Sequence, residues 1–294
     1  MSSAPELPAG LPAALSPGRV AVITGAASGI GWAAARRLFE MGMQVVLADR
    51  EQDALTQAAA ALVARAPERA SEVLAVPTDV AHREQVLALR AAVESRFEGV
   101  SVLMNNAGIG HNPGLPWEHS DAWKTLVAVN LWGVVHGVEA FVPGMLSSEG
   151  PGLIINTGSK QGITGPPGNP AYNLSKAAVK SFTESLAHAL REKVGERVRA
   201  HLLIPGFVFT GMTRTGSSAQ KPPGAWTPEQ VIEFMLARLA AGDFYILCPD
   251  NEVDRATDER RISWAAGDII ENRPALSRWH PDFQAAFARY MAGS

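Results

Sequence analysis

Residues 19–31 read Arg19-Val20-Ala21-Val22-Ile23-Thr24-Gly25-Ala26-Ala27-Ser28-Gly29-Ile30-Gly31. The apolar run from Arg19 to Thr24 does not alternate with period two, as expected of a strand buried on both faces. Glycines follow at once, then a helical pattern from Trp32 to Met41, then a second apolar run, Met43 to Ala48, that ends in Asp49. Strand, glycine turn, helix, strand is the opening of a doubly wound sheet. Glycines there allow a tight turn and let a pyrophosphate approach the backbone. The helix start behind them offers free amides and a positive dipole end. Gly25, Ser28, Gly29, Ile30 and Gly31 are therefore candidate dinucleotide contacts; the plainer reading is an ordinary strand-to-helix turn. Asp49 would accept hydrogen bonds from ribose hydroxyls and repel a 2′-phosphate, so NAD is expected over NADP. Arg50 beside it is able to pair with a phosphate, and Asp49 also suits a solvated strand end.

The alternation continues outward. A helix from Glu51 to Ala66 stops at Pro67, and Val73–Val76 reads as the third strand. A helix from His82 to Phe97 and a strand from Ser101 to Met104 follow, then a long helical region from about Trp117 to Met145. Gly152–Thr157, Val198–Ile204 and Phe244–Cys248 complete the strands, separated by helices from Ala171 to about Val194 and from Pro228 to Ala241. The expected fold is α/β: a doubly wound, parallel, seven-stranded Rossmann-type sheet with helices on both faces. Residues 1–18, rich in Pro and Ala, read as a flexible arm, and 19–250 as one Rossmann-type domain. Residues 251–294 read as a helical extension whose tryptophans pack on the same domain or on a neighbouring subunit. Gly206 to Trp226 is long enough to be a lid.

Composition narrows the function classes. The chain has 294 residues, net charge -3, 47% hydrophobic and 19% charged residues, which suits one large domain with a substantial core. Near-neutral charge without a basic run gives no support for nucleic-acid binding. No apolar run reaches the ~20 residues needed to span a bilayer, and the N-terminus lacks the features of a signal peptide. Cys248 is the single cysteine, so no internal disulfide is possible. A cytoplasmic protein is the expectation. His111, His119, His136 and His201 are scattered without ligand spacing, so no metal is expected.

The chemistry-bearing stretch runs from Ser159 to Lys176. Ser159 stands at the carboxyl end of a strand, where open α/β sheets place their ligands. Tyr172 and Lys176 lie four apart on a helix and share a face. A hydroxyl, a phenol and an ammonium would converge there, a group able to move a proton to or from an alcohol oxygen. Other strand ends add candidates: Asp79 and Val80; Asn105-Asn106-Ala107-Gly108; and Pro205-Gly206 with Val208 and Thr210. Each has a plainer alternative. Asp79 could cap the next helix, the Asn105–Gly108 run could be a turn, and Ser159 and Thr210 could be loop caps. Tyr172 with Lys176 could be an exposed pair, and Asn130 a buried structural bridge.

In this order and at these strand ends, the motifs resemble the short-chain dehydrogenase/reductase family, in its compact single-domain branch, over about Arg19 to Cys248. The resemblance implies an NAD(P)-dependent oxidoreductase that interconverts a secondary alcohol and a ketone. The family's tetrad falls on Asn130, Ser159, Tyr172 and Lys176. Tyr172 would be the general acid/base, its phenolate favoured by Lys176 and by the nicotinamide's positive charge. Lys176 would also hold the nicotinamide ribose, Ser159 would hydrogen-bond the developing alkoxide, and Asn130 would hold water linking Lys176 to solvent. Thr210 would bind the carboxamide. Family members usually form dimers or tetramers through the helices holding Asn130 and Tyr172, so a homodimer or homotetramer is implied. Two other functions are weighed: an NAD-using epimerase or dehydratase, and a non-catalytic dinucleotide-binding protein. Two features depart from the family pattern: Lys160, expected to point to solvent or to meet an acidic substrate, and Cys248-Pro249-Asp250-Asn251 in place of a glycine-rich close. Ile109, Gln161, Phe207, Met212 and Trp226 are pocket candidates, suggesting a bulky, largely apolar alcohol or ketone.

Overall fold

Seven parallel strands form one sheet in the order β3-β2-β1-β4-β5-β6-β7. They are β1 (Val20–Thr24), β2 (Gln44–Asp49), β3 (Val73–Pro77), β4 (Val102–Asn105), β5 (Gly152–Thr157), β6 (Val198–Ile204) and β7 (Tyr245–Leu247). The computed structural model describes residues 9–213 and 220–293. The expected lid therefore lies partly outside the described residues, at 214–219, as do the first eight residues of the expected arm. β1, β4 and β5 are buried at every position. That explains why their sequences run apolar without alternating: both faces are covered. The helices around the sheet are α1 (Gly29–Glu40), α2 (Gln52–Val63), α3 (Arg83–Arg96), α4 (Ser120–Val127), α5 (Gly133–Ser147), α6 (Gln161–Thr164), α7 (Pro170–Val194) and α8 (Pro228–Ala240). Strand order reverses between β1 and β4, which opens the ligand crevice at the carboxyl ends of those strands.

The elements depart from expectation in instructive places. α1 starts at Gly29 rather than Trp32, so the glycine turn and the helix start overlap. The long helical region divides into α4, a π-helical turn at Ala128–Trp132, and α5. Together Ser120–Ser147 make a 28-residue run with a mean hydropathy window of 1.5, long and apolar enough to cross a membrane. That differs from the expectation that no such run exists. Half of the window is buried inside the protein, and α5 packs on β4 and α3, as a core helix does. Part of the expected arm is core as well: Ala13–Leu15 form a 3-10 turn with Ala14 and Leu15 buried. The Ser101 hydroxyl donates to the Ala14 carbonyl at 2.9 Å.

The C-terminal extension folds back on its own chain. It comprises α9 (Arg255–Ile270), short 3-10 turns, and α10 (Gln284–Ala292). Trp264 centres a small core there, edge-on to Phe287 with ring centroids 5.3 Å apart and tilted against Tyr290 at 5.2 Å. Its indole N–H donates to Ser277 Oγ at 2.8 Å, and the Arg273 guanidinium lies 4.0 Å from its ring centre. α9 in turn packs on α6, the short helix after Ser159.

Candidate active site

The crevice holds about 600 Å³ and is lined from the glycine turn to the start of α7. Its near wall is built by backbone constraints. Gly25 (φ +66°) and Gly29 (φ +56°) take left-handed conformations that favour glycine. At Gly31 the reason is distance: a Cβ would lie 2.1 Å from the Gly25 carbonyl oxygen and 2.7 Å from Asn106 Nδ2. Ser28 makes no side-chain cap bond, so the first amides of α1 have no side-chain acceptor from it. Ser28, Ile30, Asp49, Arg50, Asp79 and Val80 all line the crevice. The Asp49 carboxylate accepts from Ala27 N at 3.0 Å and from Glu51 N at 3.2 Å. Arg50 pairs with Glu51 at 3.0 Å. Asp79 accepts from Ala81 N at 3.0 Å, a local turn ahead of α3 rather than a cap on it, and lines the crevice. The run Asn106-Ala107-Gly108 hangs on Thr24: its hydroxyl accepts from Asn106 N at 3.0 Å and Ala107 N at 3.1 Å.

The far wall carries the titratable groups. Asn169 caps α7 by accepting from Tyr172 N at 3.2 Å, and Pro170 opens the helix with its φ already set. The Asn169 amide also donates to Gly110 O at 3.2 Å and His111 O at 3.3 Å, tying Tyr172 to the loop after β4. Burial raises the Tyr172 phenol, and the neighbouring Ser159 hydroxyl opposes that rise. The expected lowering belongs to Lys176 together with the positive charge of a nicotinamide. The Lys176 ammonium, 5.8 Å from the Tyr172 ring centre, is committed to the Thr157 carbonyl at 2.8 Å. Its burial pushes it down to about 8. Asn130 sits fully buried on the π-helical turn. It accepts from Ile109 N at 2.8 Å and donates to Ile109 O at 2.9 Å and Ser175 Oγ at 3.2 Å. Its direct bonds are thus those of a structural bridge. Its oxygen and Lys176 Nζ both lie near Gly108, 3.3 and 3.7 Å from where a Cβ would stand.

Pro205, Gly206, Val208, Thr210 and Met212 reach the crevice from the loop after β6. Trp226 N donates to Phe207 O at 2.8 Å and Phe209 N to Trp226 O at 2.9 Å, closing that loop at its neck. Among the pocket candidates, Ile109 and Met212 line the crevice, whereas Gln161, Phe207 and Trp226 do not. Trp226 packs edge-on to Phe234, with centroids 5.7 Å apart, in the core beside α8. The solvent reading of Lys160 is also corrected: its ammonium pairs with Asp258 at 2.6 Å and Asp250 at 3.4 Å. Sequence reasoning passes over Thr24, Thr157 and Asn169. The signal available is a polar residue directly before a glycine or proline at each strand or helix end.

The sequence profile described as short chain dehydrogenase matches residues 19–221. The chain belongs to the short-chain dehydrogenase/reductase family. It is an oxidoreductase by that membership, with the family's Rossmann-type sheet. A 1-deoxy-11-beta-hydroxypentalenate dehydrogenase of Streptomyces exfoliatus is 33% identical over 266 residues, 89% of this chain and 94% of that protein. A short-chain dehydrogenase/reductase from Burkholderia phymatum, solved in complex with NAD, superposes with TM-score 0.77 at 34% identity, covering 88% of this chain and 96% of that one. An alcohol dehydrogenase from the archaeon Thermococcus sibiricus, complexed with 5-hydroxy-NADP, superposes with TM-score 0.63 at 30% identity, covering 75% and 90%.

Proposed function

We propose that this protein interconverts a secondary alcohol and a ketone with a nicotinamide dinucleotide, NAD in preference to NADP, and that Tyr172 is its general acid/base. The observation that carries the reading is the convergence of Ser159, Tyr172 and the buried Lys176 on one wall of the crevice. The crevice fits a dinucleotide. The uncapped start of α1 and the side-chain-free face of Gly25, Gly29 and Gly31 suit a pyrophosphate. Asp49 uses two acceptor positions on Ala27 and Glu51 and keeps others for ribose hydroxyls. Its charge opposes a 2′-phosphate. Solved relatives bind NAD in one case and 5-hydroxy-NADP in another. Val80, Asn106, Ala107, Gly108, Pro205, Gly206, Val208 and Thr210 would line the remainder of that site.

The bound dinucleotide supplies or accepts the hydride. The chain's own residues handle the proton. In reduction the Tyr172 phenol donates to the carbonyl oxygen, while the Ser159 hydroxyl hydrogen-bonds the same oxygen as charge develops on it. In oxidation Tyr172 must be a phenolate, which burial opposes. Positive charge held in the crevice offsets that: one unit charge about 6 Å away is worth about 3 kcal/mol at an effective dielectric of about 20, or about two pKa units. Lys176, 5.8 Å from the Tyr172 ring centre, is placed to provide part of it, and Asn130 holds the backbone of Ile109 next to Gly108. Ile109 and Met212 favour a largely apolar substrate. Exposed Trp132 and Leu174, 52% and 49% accessible, lie on or beside the helices through which a homodimer or homotetramer would form. The buried lone thiol of Cys248 accords with a reducing, cytoplasmic setting.

The test is a screen of NAD and NADP against a panel of secondary alcohols and ketones, followed by reduced-nicotinamide absorbance. Turnover with NAD is expected. Tyr172→Phe should lose about 10²–10⁴-fold in rate while still binding NADH. Undiminished turnover in that variant would overturn the assignment.

A further inference from the structure

Ser159 is held by a very short element. Its hydroxyl accepts from Gln161 N at 3.2 Å, so its orientation depends on where α6 begins. α6 has four residues, too few to hold its own shape. Something outside it must do so. On one side it presses on α7: a Cβ at Gly162 would lie 2.5 Å from the Lys176 carbonyl carbon. On the other side stands Lys160, the residue directly after Ser159.

Lys160 has helical dihedrals (φ −55°, ψ −31°) and its carbonyl accepts from Ile163 N and Thr164 N, both at 3.1 Å. Its side chain leaves the crevice and reaches Asp258 Oδ2 on α9 at 2.6 Å and Asp250 Oδ2 after β7 at 3.4 Å. Both carboxylates are nearly inaccessible, at 6% and 8%. Asp250 Oδ2 also accepts from Phe207 N at 3.3 Å. Gly206 leaves the room for this: a Cβ there would lie 2.7 Å from Asp250 Oδ2 and 3.0 Å from Lys160 Nζ. One ammonium thus joins the Ser159 turn, the loop that carries Thr210, and the C-terminal extension.

We propose that Lys160 is a positioning residue for Ser159, fixing α6 by anchoring it to Asp250 and to Asp258 of the C-terminal extension. The inference rests on the proposed role of Ser159. It also gives the extension a purpose, since α9 becomes the fixed point against which the Ser159 turn is set. At its centre one ammonium meets two carboxylates. Arg261 on α9 and Arg278 beyond it face Asp258, and the neutral Cys248 thiol faces Lys160. Burial raises the Asp258 carboxyl, and the Lys160 ammonium opposes that rise.

The experiment compares wild type, Lys160→Met, Asp258→Asn and the double variant Lys160→Met/Asp258→Asn. In Lys160→Met the two carboxylates lose the cation between them, while Arg261 and Arg278 still face Asp258. Its kcat should fall about tenfold to a hundredfold, the size expected when a catalytic group is displaced by up to about 1 Å. NADH affinity, read by fluorescence, should change far less. The ratio of variant to wild-type kcat should rise as pH falls, because protonating one carboxylate removes the repulsion. The double variant should recover most of the rate. Amide hydrogen exchange over residues 159–165 should accelerate in Lys160→Met and, more weakly, in Asp258→Asn, which keeps the Lys160–Asp250 pair. Wild-type kcat and exchange in these variants, or a double variant no better than Lys160→Met, would overturn the proposal. Should the wild type turn over no alcohol with either dinucleotide, the functional reading fails, and the exchange rates still decide whether Lys160 fixes the turn.

Discussion

Two lysines flank the Ser159 turn, and the protein treats them in opposite ways. On the crevice floor Lys176 is 4% accessible, has no carboxylate partner among its described contacts, and gives its ammonium to one backbone carbonyl. At the seam with the C-terminal extension Lys160 is 18% accessible and faces two buried carboxylates. A buried cation without a counter-charge is costly, and the cost appears as a pKa pushed down to about 8. A buried cation between carboxylates offsets its own desolvation. The first arrangement leaves charge available for chemistry; the second consumes it in holding elements together. The two stand on one short stretch of sequence, and nothing in the residue type distinguishes them.

That contrast can be broken from either side. The largest effect is expected for Lys176→Met, which should lose about 10²–10⁴-fold in kcat without loss of thermal stability. A falling melting temperature with preserved turnover would reverse the assignment. Next, Lys160→Met should destabilise by about 3 kcal/mol in urea titration, because two nearly inaccessible carboxylates lose the cation between them. A third test uses pH. Lys176 is lowered from the unfolded value of about 10.4 to about 8, so between those values the unfolded chain holds a proton that the folded chain has released. The penalty from Lys176 is complete below about pH 8 and fades as pH rises towards about 10.4. The stability advantage of Lys176→Met over wild type should therefore shrink, by about 3 kcal/mol at most, from about pH 7 to about pH 10. Paired urea titrations at both ends of that range measure it. The smallest effect tests the anchor behind Lys160. Trp264→Phe removes the N–H that donates to Ser277 Oγ and should cost about 1 kcal/mol, read as a lower melting temperature.

The sheet and the glycine wall are legible in the sequence because they obey local rules. Buried parallel strands read as unbroken apolar runs, and Gly25, Gly29 and Gly31 are placed by conformation and close approach. Tyr172 and Lys176 are legible because a spacing of four puts them on one face. Lys160 is not. Its partners, Asp250 and Asp258, are remote in sequence and lie in a segment without a motif, so the residue resembles any solvated lysine. Trp226 misleads for a related reason. Proximity in sequence to the expected lid suggests the pocket, but the chain turns it onto Phe234. The buried end of the N-terminal segment is hidden because its partner, Ser101, is distant in sequence and sits at the start of β4. The π-helical turn at Asn130 leaves no periodicity signal, since one widened turn shifts the pattern without interrupting it.

The paired bonds between Phe207, Phe209 and Trp226 fasten the two ends of the loop after β6 to each other. With its two ends already fastened, doubling the number of residues inside should cost only about 0.6 kcal/mol in closure entropy. Grafting the corresponding stretch from a relative, with Thr210 retained, would then alter substrate range while the sheet beneath stays as it is.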